Sequence, residues 1–407
     1  MCFNKDKKLD KKTILLLCVL GISFLGLYYS KTVLSFVPYL VLLMGLYQKK
    51  SRDRVKLFFK SPAILSLSLI LFVYLLSGIN SSDTSMWLGR VNTNLIFFVI
   101  PFAIFLNGPY DRKFVNIVLE IFVSINFIIS VLLLFSYFFN YDEVNSSYLK
   151  GQTIHTPIIH VRYSYFVALS ILFSAYLFMK SKIKLKRYAF GTMALFLMVF
   201  IHVMAVRTGI LSLYLSTVFL AFYNAIVYKK YKLAIAVLGI ILGIMVMSYL
   251  FLPSVKNKIK YVKWDIETTL NGTAKYHTSD RIRITSIING FKILKDSPLL
   301  GSGIGDIEKE MNKKYELNYK DLPKEMRFQP VNQFVFTLSS MGILGFVLYY
   351  LLLLFPVFYT KNRHELLIPV YVLTLLTFVG ETTIELMIGK TAFLTLLAIL
   401  ICYKKEI

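Results

Sequence analysis

Long apolar runs recur along nearly the whole chain and constrain its fold more than any other feature. Of its 407 residues, 57% are hydrophobic, and the mean hydropathy is +0.64. A helix needs about 20 predominantly apolar residues to cross the hydrocarbon core of a bilayer, and soluble domains rarely carry several such runs. The sequence therefore predicts an all-α, polytopic integral membrane protein.

Twelve runs have the length and composition of membrane-spanning helices. They are residues 13–29, 32–47, 62–78, 90–107, 115–139, 163–179, 188–206, 209–227, 233–252, 331–355, 365–380 and 388–403. Only one connection between them is long, at residues 253–329. The predicted organisation is therefore nine spans within residues 1–252, a large loop at 253–329, and three spans within residues 330–407.

The basic residues indicate how these spans are oriented. The net charge of +24 suggests nucleic-acid binding in a soluble chain, but here the Lys and Arg residues cluster in short connections between apolar runs. The two tails and alternate connections hold 25 of them, in loops 48–61, 107–114, 180–187, 228–232 and 356–365. The positive-inside rule then places both termini in the cytoplasm and the large loop on the outer face. Membrane lipid, and not nucleic acid, is the predicted partner of this charge.

The large loop is predicted to be partly helical and to face an anionic ligand. It holds 15 Lys/Arg and 10 Asp/Glu, an excess of basic residues that is unusual for a translocated segment. Apolar residues recur at helical spacing from Ile284 to Leu294; Ser279 or Asp280 is placed to cap this helix and Pro298 to end it. A second helix is predicted in IEKEMNKKYE, which follows GSGIGD at residues 301–306.

The glycines of GSGIGD have two interpretations. Gly301, Gly303 and Gly305 precede a helix, where backbone N–H groups can approach phosphate closely. Without a surrounding βαβ unit, however, a plain tight turn explains the same pattern.

Four arginines are candidates for holding a diphosphate at the outer face: Arg162, Arg207, Arg281 and Arg283. Arginine offers a permanently charged, forked set of donors that matches phosphate oxygens. The alternative for Arg207, between two spans, is snorkelling to lipid phosphate; for Arg281 and Arg283 it is ordinary solvent exposure.

Further polar residues at the same face are candidates for acid–base chemistry. They are His155, His160, His277, Asp306, Asn332, Gln333, Glu381 and Glu385. Acidic groups between the last two spans are costly there and therefore suggest function. Asn332 and Gln333 equally suit a helix cap, and the histidines equally suit interfacial hydrogen bonding. No His, Cys, Asp or Glu spacing is typical of a metal site, and no cofactor is predicted.

Several of these motifs occur in an order that resembles the O-antigen ligase and O-antigen polymerase superfamily. They are Val206-Arg207-Thr208-Gly209, the run from Pro298 to Asp306, Asn332-Gln333 before a span, and Gly342 to Gly345 within it. The resemblance covers roughly residues 150–400.

The resemblance implies a metal-independent, inverting glycosyltransfer at the outer face of the bacterial inner membrane. The donor would be a glycan on undecaprenyl diphosphate, and the acceptor lipid A-core or another lipid-linked glycan. Arginines would hold the diphosphate, and a base would take the acceptor proton. The family commonly has histidine before Asn-Gln, where this chain has Val331. Either His277, Asp306 or Glu381 would then replace it, or the reaction would not depend on a strong base. Alternative functions are transport of a lipid-linked glycan and a non-catalytic role in its assembly.

Overall fold

The computed structural model describes residues 9–271, 278–320, 322–359 and 364–404, and these residues form an all-helical bundle. Its helices are α1 (Lys11–Tyr29), α2 (Lys31–Leu46), α3 (Ser51–Phe59), α4 (Pro62–Leu76), α5 (Thr84–Asn94), α6 (Ile96–Asn107), α7 (Arg112–Phe139), α8 (Tyr141–Tyr148), α9 (His160–Lys180), α10 (Lys184–Met204), α11 (Arg207–Tyr228), α12 (Tyr231–Phe251), α13 (Pro253–Leu270), α14 (Ser279–Asp296), α15 (Ile307–Asn318), α16 (Gln333–Tyr359), α17 (Leu367–Thr377) and α18 (Met387–Ile401). Short 3₁₀ turns follow α4 at Ser77–Asn80 and precede α16 at Lys324–Met326.

Helices at all twelve predicted spans confirm the polytopic membrane architecture. Within the described residues, nine helical stretches are long and apolar enough to cross a membrane. α2 and α3 pass the same test only together and are bent by 114° at their junction, whereas α17 and α18 are apolar but shorter. The total of twelve spans stays a prediction.

The bundle has a clear centre and periphery. α9 is the most enclosed of the long apolar helices, with 83% of its apolar window buried, whereas only 17% of the corresponding window of α12 is buried. Aspartates cap three helices by accepting hydrogen bonds from first-turn backbone N–H groups: Asp10 for α1, Asp83 for α5 and Asp111 for α7. Because α9 is central, a charged residue at its start is held inside the protein instead of facing lipid.

The described part of the large loop contains three α-helices, of which two were predicted from sequence. The first helix runs from Ser279 to Asp296 and the second, α15, follows GSGIGD, as expected. The predicted cap at Ser279 or Asp280 is wrong, because both residues lie within the helix, after Thr278, and the Asp280 carboxylate binds Arg207 instead.

α13 is the helix that the sequence did not reveal, because its buried stripe is largely polar. Ser254, Lys258, Tyr261 and Asp265 are buried, whereas its apolar side chains Ile259, Trp264 and Ile266 are about half exposed. A search for apolar residues on one inward face therefore fails on this segment.

The connections predicted to be cytoplasmic meet at one end of the bundle. Glu365 forms ion pairs with Arg112 (3.3 Å) and Lys180 (2.6 Å), which lie on different connections. At the same end Tyr403, which follows α18, forms an isolated β-bridge with Tyr110. The first turns of α9, α14 and α16 lie at the opposite end, together with the turn between α17 and α18.

Candidate functional site

A cleft of about 1100 Å³ opens at that opposite end. The start of α9, the first turn of α14, helix α15 and the α17–α18 turn surround it. Six of its lining residues were singled out in the sequence analysis: His160, Arg162, Arg283, Val331, Glu381 and Glu385. Three of the predicted site residues, Arg162, Arg283 and Glu381, therefore share one cavity although they are far apart in sequence.

A buried ion pair joins Arg162 and Glu381 beneath this cleft. The distance from Arg162 Nη2 to Glu381 Oε1 is 2.8 Å, and the two side chains are only 6% and 10% exposed. Arg162 Nε is buried and has no hydrogen-bond partner within the described residues. A carboxylate at this depth requires a positive partner, because an unpaired buried charge is strongly destabilising. Arg162 therefore fixes the direction of the Glu381 carboxylate.

Arg283 reaches the same turn from the other side. It lies in the first turn of α14, and its Nη1 donates a 2.9 Å hydrogen bond to the carbonyl of Gly380, next to Glu381. Burial lowers the pKa of Arg283 and the nearby Glu381 opposes this, but a guanidinium remains protonated in proteins. Since a single backbone contact holds its guanidinium among the described residues, Arg283 has further donors to offer an anion.

Arg207 does not line the cleft, and its guanidinium is already bound. It donates to both oxygens of Asp280, at 2.9 and 2.6 Å. Asp280 lies one turn before Arg283 on α14, and its backbone N–H donates to the carboxylate of Asp265. Arg207 thus anchors the start of the helix that carries Arg283. Arg281 is also outside the cleft lining.

Asn332 and Gln333 hold the entrance of α16 in place. Asn332 Oδ1 accepts from the N–H of Val335 (3.0 Å), and Asn332 Nδ2 donates to the carbonyl of Val379 (2.9 Å). Asn332 is therefore a helix cap. The fully buried Gln333 donates from Nε2 to Glu385 Oε1 (2.8 Å), which also accepts from the Tyr74 hydroxyl (2.8 Å). Gln333 thereby positions a carboxylate that lines the cleft.

Asp306 has a structural partner and lies outside the cleft lining. Its carboxylate accepts hydrogen bonds from the N–H of Ser82 (2.5 Å), the hydroxyl of Ser82 (2.8 Å) and the N–H of Asp83 (3.0 Å). Burial raises the pKa of Asp306, but these hydrogen bonds outweigh it and lower the pKa overall. Both oxygens are engaged in joining the start of α15 to the start of α5.

The glycines of GSGIGD pack against backbone and side chains that leave no room for a Cβ. Gly301 and Gly303 have φ values of +70° and +85°, which favour glycine. A Cβ on Gly301 would lie 2.5 Å from Gly342 N, one on Gly303 2.6 Å from Asn80 O, and one on Gly305 2.5 Å from Asp83 O. α16 is interrupted at Gly342, which itself has φ +65°.

The backbone donors of the same segment already have protein acceptors. Ser302 N–H donates to Ser339 O (2.9 Å), Ile304 N–H to Ser77 Oγ (2.9 Å) and Gly305 N–H to Ser81 Oγ (3.1 Å). A phosphate would have to displace these contacts. The segment is therefore a tight turn that joins α4, α5 and α16, which was the simpler of the two sequence interpretations.

The histidines differ in position. His160 lines the cleft, while His155 is exposed and does not. His277 lies outside the described residues, so its proposed role as a base stays a prediction. Among the described residues, no group of three or more His, Cys, Asp or Glu side chains is placed to hold a metal ion.

Lys258 and Tyr74 support the cleft and were not identified from sequence. Lys258 Nζ donates to the carbonyl of Gly151 (2.6 Å), a residue that lines the cleft. Burial lowers the pKa of Lys258 to about 8, and the charge of Arg207 contributes to this. An i, i+4 stripe of Ser254, Lys258 and, one turn on, Tyr261 was the available signal for Lys258, whereas Tyr74 had none within its apolar span.

The comparison with protein families agrees with the order of motifs in the chain. Residues 192–350 match the profile of the O-antigen ligase family. No curated protein matches the chain. The matched range includes Arg207, Arg283 and Gln333, whereas Arg162 and Glu381 lie on either side of it. Residues 192–350 therefore resemble an O-antigen ligase domain, which supports the predicted relation of the chain to the O-antigen ligase and polymerase superfamily.

Proposed function

We propose that this membrane enzyme transfers a glycan from undecaprenyl diphosphate to an acceptor hydroxyl within the cleft. One observation carries the proposal: Arg283, Arg162 and Glu381 converge on a single cavity at the end of the bundle away from the basic connections. A cation for a diphosphate and a carboxylate for a hydroxyl proton are what this reaction requires.

Arg283 is assigned to the leaving group. As the bond between the anomeric carbon and the diphosphate oxygen breaks, negative charge accumulates on that oxygen. A guanidinium in a partly desolvated cleft stabilises this charge more in the transition state than in the bound donor, and so accelerates the reaction. Because this cation is permanent, the proposed reaction needs no metal ion at the diphosphate.

Glu381 is assigned to the base. The acceptor oxygen attacks the anomeric carbon on the face opposite the diphosphate, so the configuration inverts, and the acceptor proton passes to a carboxylate oxygen. Glu381 Oε1 is bound to Arg162, and its other oxygen has no hydrogen bond among the described contacts. Val331 lines the same cavity but has no group that accepts a proton.

Arg162 and Gln333 are assigned to positioning. Arg162 holds Glu381, and Gln333 together with Tyr74 holds Glu385 at the same turn. These residues fix two carboxylates at the α17–α18 turn, which Arg283 also contacts. The acceptor is proposed to be lipid A-core or another lipid-linked glycan, which defines the enzyme as a ligase or a polymerase, respectively.

The cleft is proposed to face the periplasm, with both termini in the cytoplasm of a bacterial cell. The basic residues on the opposite connections support this orientation. Leu317 is 73% exposed on α15, so Leu317→Cys provides a reporter for the loop. Labelling by a membrane-impermeant reagent added to intact spheroplasts is expected; labelling only after the membrane is opened would reverse the proposed orientation.

Reconstitution tests the proposed reaction. The purified protein in liposomes receives an undecaprenyl-diphosphate-linked glycan with either lipid A-core or the lipid-linked glycan as acceptor, and release of undecaprenyl diphosphate is measured. Release with one acceptor, unchanged by EDTA and lost in Glu381→Gln, is expected. Arg112→Gln, an exposed residue at the opposite end, is the matched control and should retain activity. No release with either acceptor would contradict the proposal.

A further inference from the structure

A second cavity, of about 810 Å³, lies at the end of the bundle away from the cleft. It is bounded by α3, the start of α4 and the ends of α6, α16 and α18. α16 and α18 run from the cleft at their starts to this cavity at their ends. Its lining includes Arg54, Lys60, Ser61, Phe105, Tyr359 and Ile401, and none of these residues takes part in the proposed transfer.

α3 has features of a helix that lies at the level of lipid headgroups. The helix turns by 114° from the direction of α2, and its single fully buried ring, Phe58, packs edge-on against Phe98, Phe102 and Phe105. Its charged residues Arg52, Asp53 and Lys56 are exposed, and so are its apolar residues Leu57 and Phe59. A short helix that is turned away from the preceding span and carries a basic excess beside apolar side chains is typical of a segment lying in the membrane interface.

The cavity combines cationic groups with apolar walls. Arg54 Nη2 donates to the carbonyl of Phe105 (2.7 Å), while its Nε is buried and has no partner within the described residues. Lys60 is exposed at the cavity edge. Pro62 begins α4, so the N–H groups of the following first-turn residues, which also line the cavity, have no acceptor within the helix. No carboxylate is among the described residues of the lining.

We propose that this cavity binds an anionic phospholipid of the leaflet opposite the cleft. The headgroup phosphate lies between Arg54, Lys60 and the start of α4, where two cations and a helix N-terminus favour negative charge. The acyl chains lie along Phe105, Tyr359 and Ile401. A basic recess with apolar walls favours a lipid over a soluble phosphate, because only the lipid has acyl chains that pack against the walls. This site is independent of the proposed glycan transfer.

Lipid titration with native mass spectrometry tests the site. The delipidated protein in detergent is titrated with phosphatidylglycerol, with phosphatidylcholine of the same acyl chains, and with inorganic phosphate. The cavity variant is Arg54→Ala with Lys60→Ala. The matched control is Arg52→Ala with Lys56→Ala, which removes two positive charges from the same region but from residues outside the lining.

We expect one molecule of phosphatidylglycerol to bind at least about tenfold more tightly than phosphatidylcholine, a factor that corresponds to about one charge-assisted hydrogen bond. The cavity variant should lose this preference, and the control variant should keep it. Equal losses in the two variants would mean unspecific attraction and overturn the proposal. Equal affinity for both lipids would overturn it, and so would competition by millimolar inorganic phosphate. If the double variant does not fold, Lys60→Ala alone, at an exposed residue, should still reduce the preference.

Discussion

The ion pair between Arg162 and Glu381 provides the sharpest test of the catalytic assignment. Glu381→Gln keeps the shape of the side chain but removes its ability to take a proton. A positioned base contributes about 10²–10⁴-fold, so the rate constant kcat should fall by that factor, or about 2.7–5.4 kcal/mol. KM should change little, because the amide still occupies the same space.

Arg162→Gln should reduce both activity and stability. With side chains only 6% and 10% exposed, little water screens the carboxylate that remains. Removing one partner of a buried pair costs about 3–5 kcal/mol in free energy of unfolding. If Arg162 acts only by holding Glu381, the double variant Arg162→Gln, Glu381→Gln should have the same kcat as Glu381→Gln alone. It should also have a higher free energy of unfolding than Arg162→Gln.

The measurements are kcat and KM from release of undecaprenyl diphosphate, and unfolding in the same detergent. The control is Arg112→Gln, which breaks the exposed Arg112–Glu365 pair of 3.3 Å, with exposures of 42% and 48%. Such pairs contribute about 0–1 kcal/mol, so this variant should be nearly neutral. Two results would refute the reasoning. One is a double variant whose loss in kcat is the product of the two single losses, which would indicate that Arg162 contacts the substrate itself. The other is a normal kcat in Glu381→Gln.

Four further outcomes are expected. Arg283→Ala should lower kcat/KM by about ten- to a hundredfold, the value of one charge-assisted hydrogen bond, and an unchanged ratio would remove it from the diphosphate site. Arg207→Ala and Asp280→Ala should give similar losses that do not add in the double variant, because they form one contact; additive losses would indicate a separate role for Arg207. Because burial lowers the pKa of Lys258 to about 8, the unfolded state binds more protons than the folded state between about pH 8 and 10.5. The free energy of unfolding of wild type should therefore rise relative to that of Lys258→Met as pH increases through that window, and should not change below it. A difference between the two proteins that is independent of pH would contradict this. Val331→His should restore part of the rate in a variant that lacks the base, since imidazole titrates near neutrality, and no recovery would mean that residue 331 does not face the acceptor.

Apolar periodicity was sufficient to predict the membrane helices because every span carries its own local signal. The two amphipathic helices of the large loop were found for the same reason. Helix α13 was not found, since its buried residues Ser254, Lys258 and Asp265 are polar and are buried only through contacts with other parts of the fold. Helix α3 and its bend from α2 were also missed, because α3 lies in the basic connection 48–61, where hydropathy gives no span signal and does not encode an angle.

Three of the residues selected from sequence, Arg162, Arg283 and Glu381, line the cleft, while their roles there stay predictions. They were selected by residue type and by a predicted position at the outer face, since charged groups at membrane depth are costly and suggest function. The same criterion selected Asp306 and Arg207, whose carboxylate and guanidinium have partners within the fold. Sequence does not distinguish a charged group that faces a cleft from one already paired, because the pairing depends on contacts between residues up to 224 positions apart.

The α17–α18 turn connects the three elements on which the proposed mechanism depends. Arg162 of α9 binds its Glu381, Arg283 of α14 binds the carbonyl of Gly380, and Gln333 of α16 binds both the carbonyl of Phe378 and the carboxylate of Glu385. This turn lies beyond the residues that match the family profile. In the proposed mechanism the matched range supplies the cation for the leaving group, while the proposed base comes from a segment outside it. Because this turn lies close to Arg283, a carboxylate is available beside the proposed acceptor site although residue 331 is Val, so the lack of a histidine there does not by itself remove the means of deprotonating an acceptor.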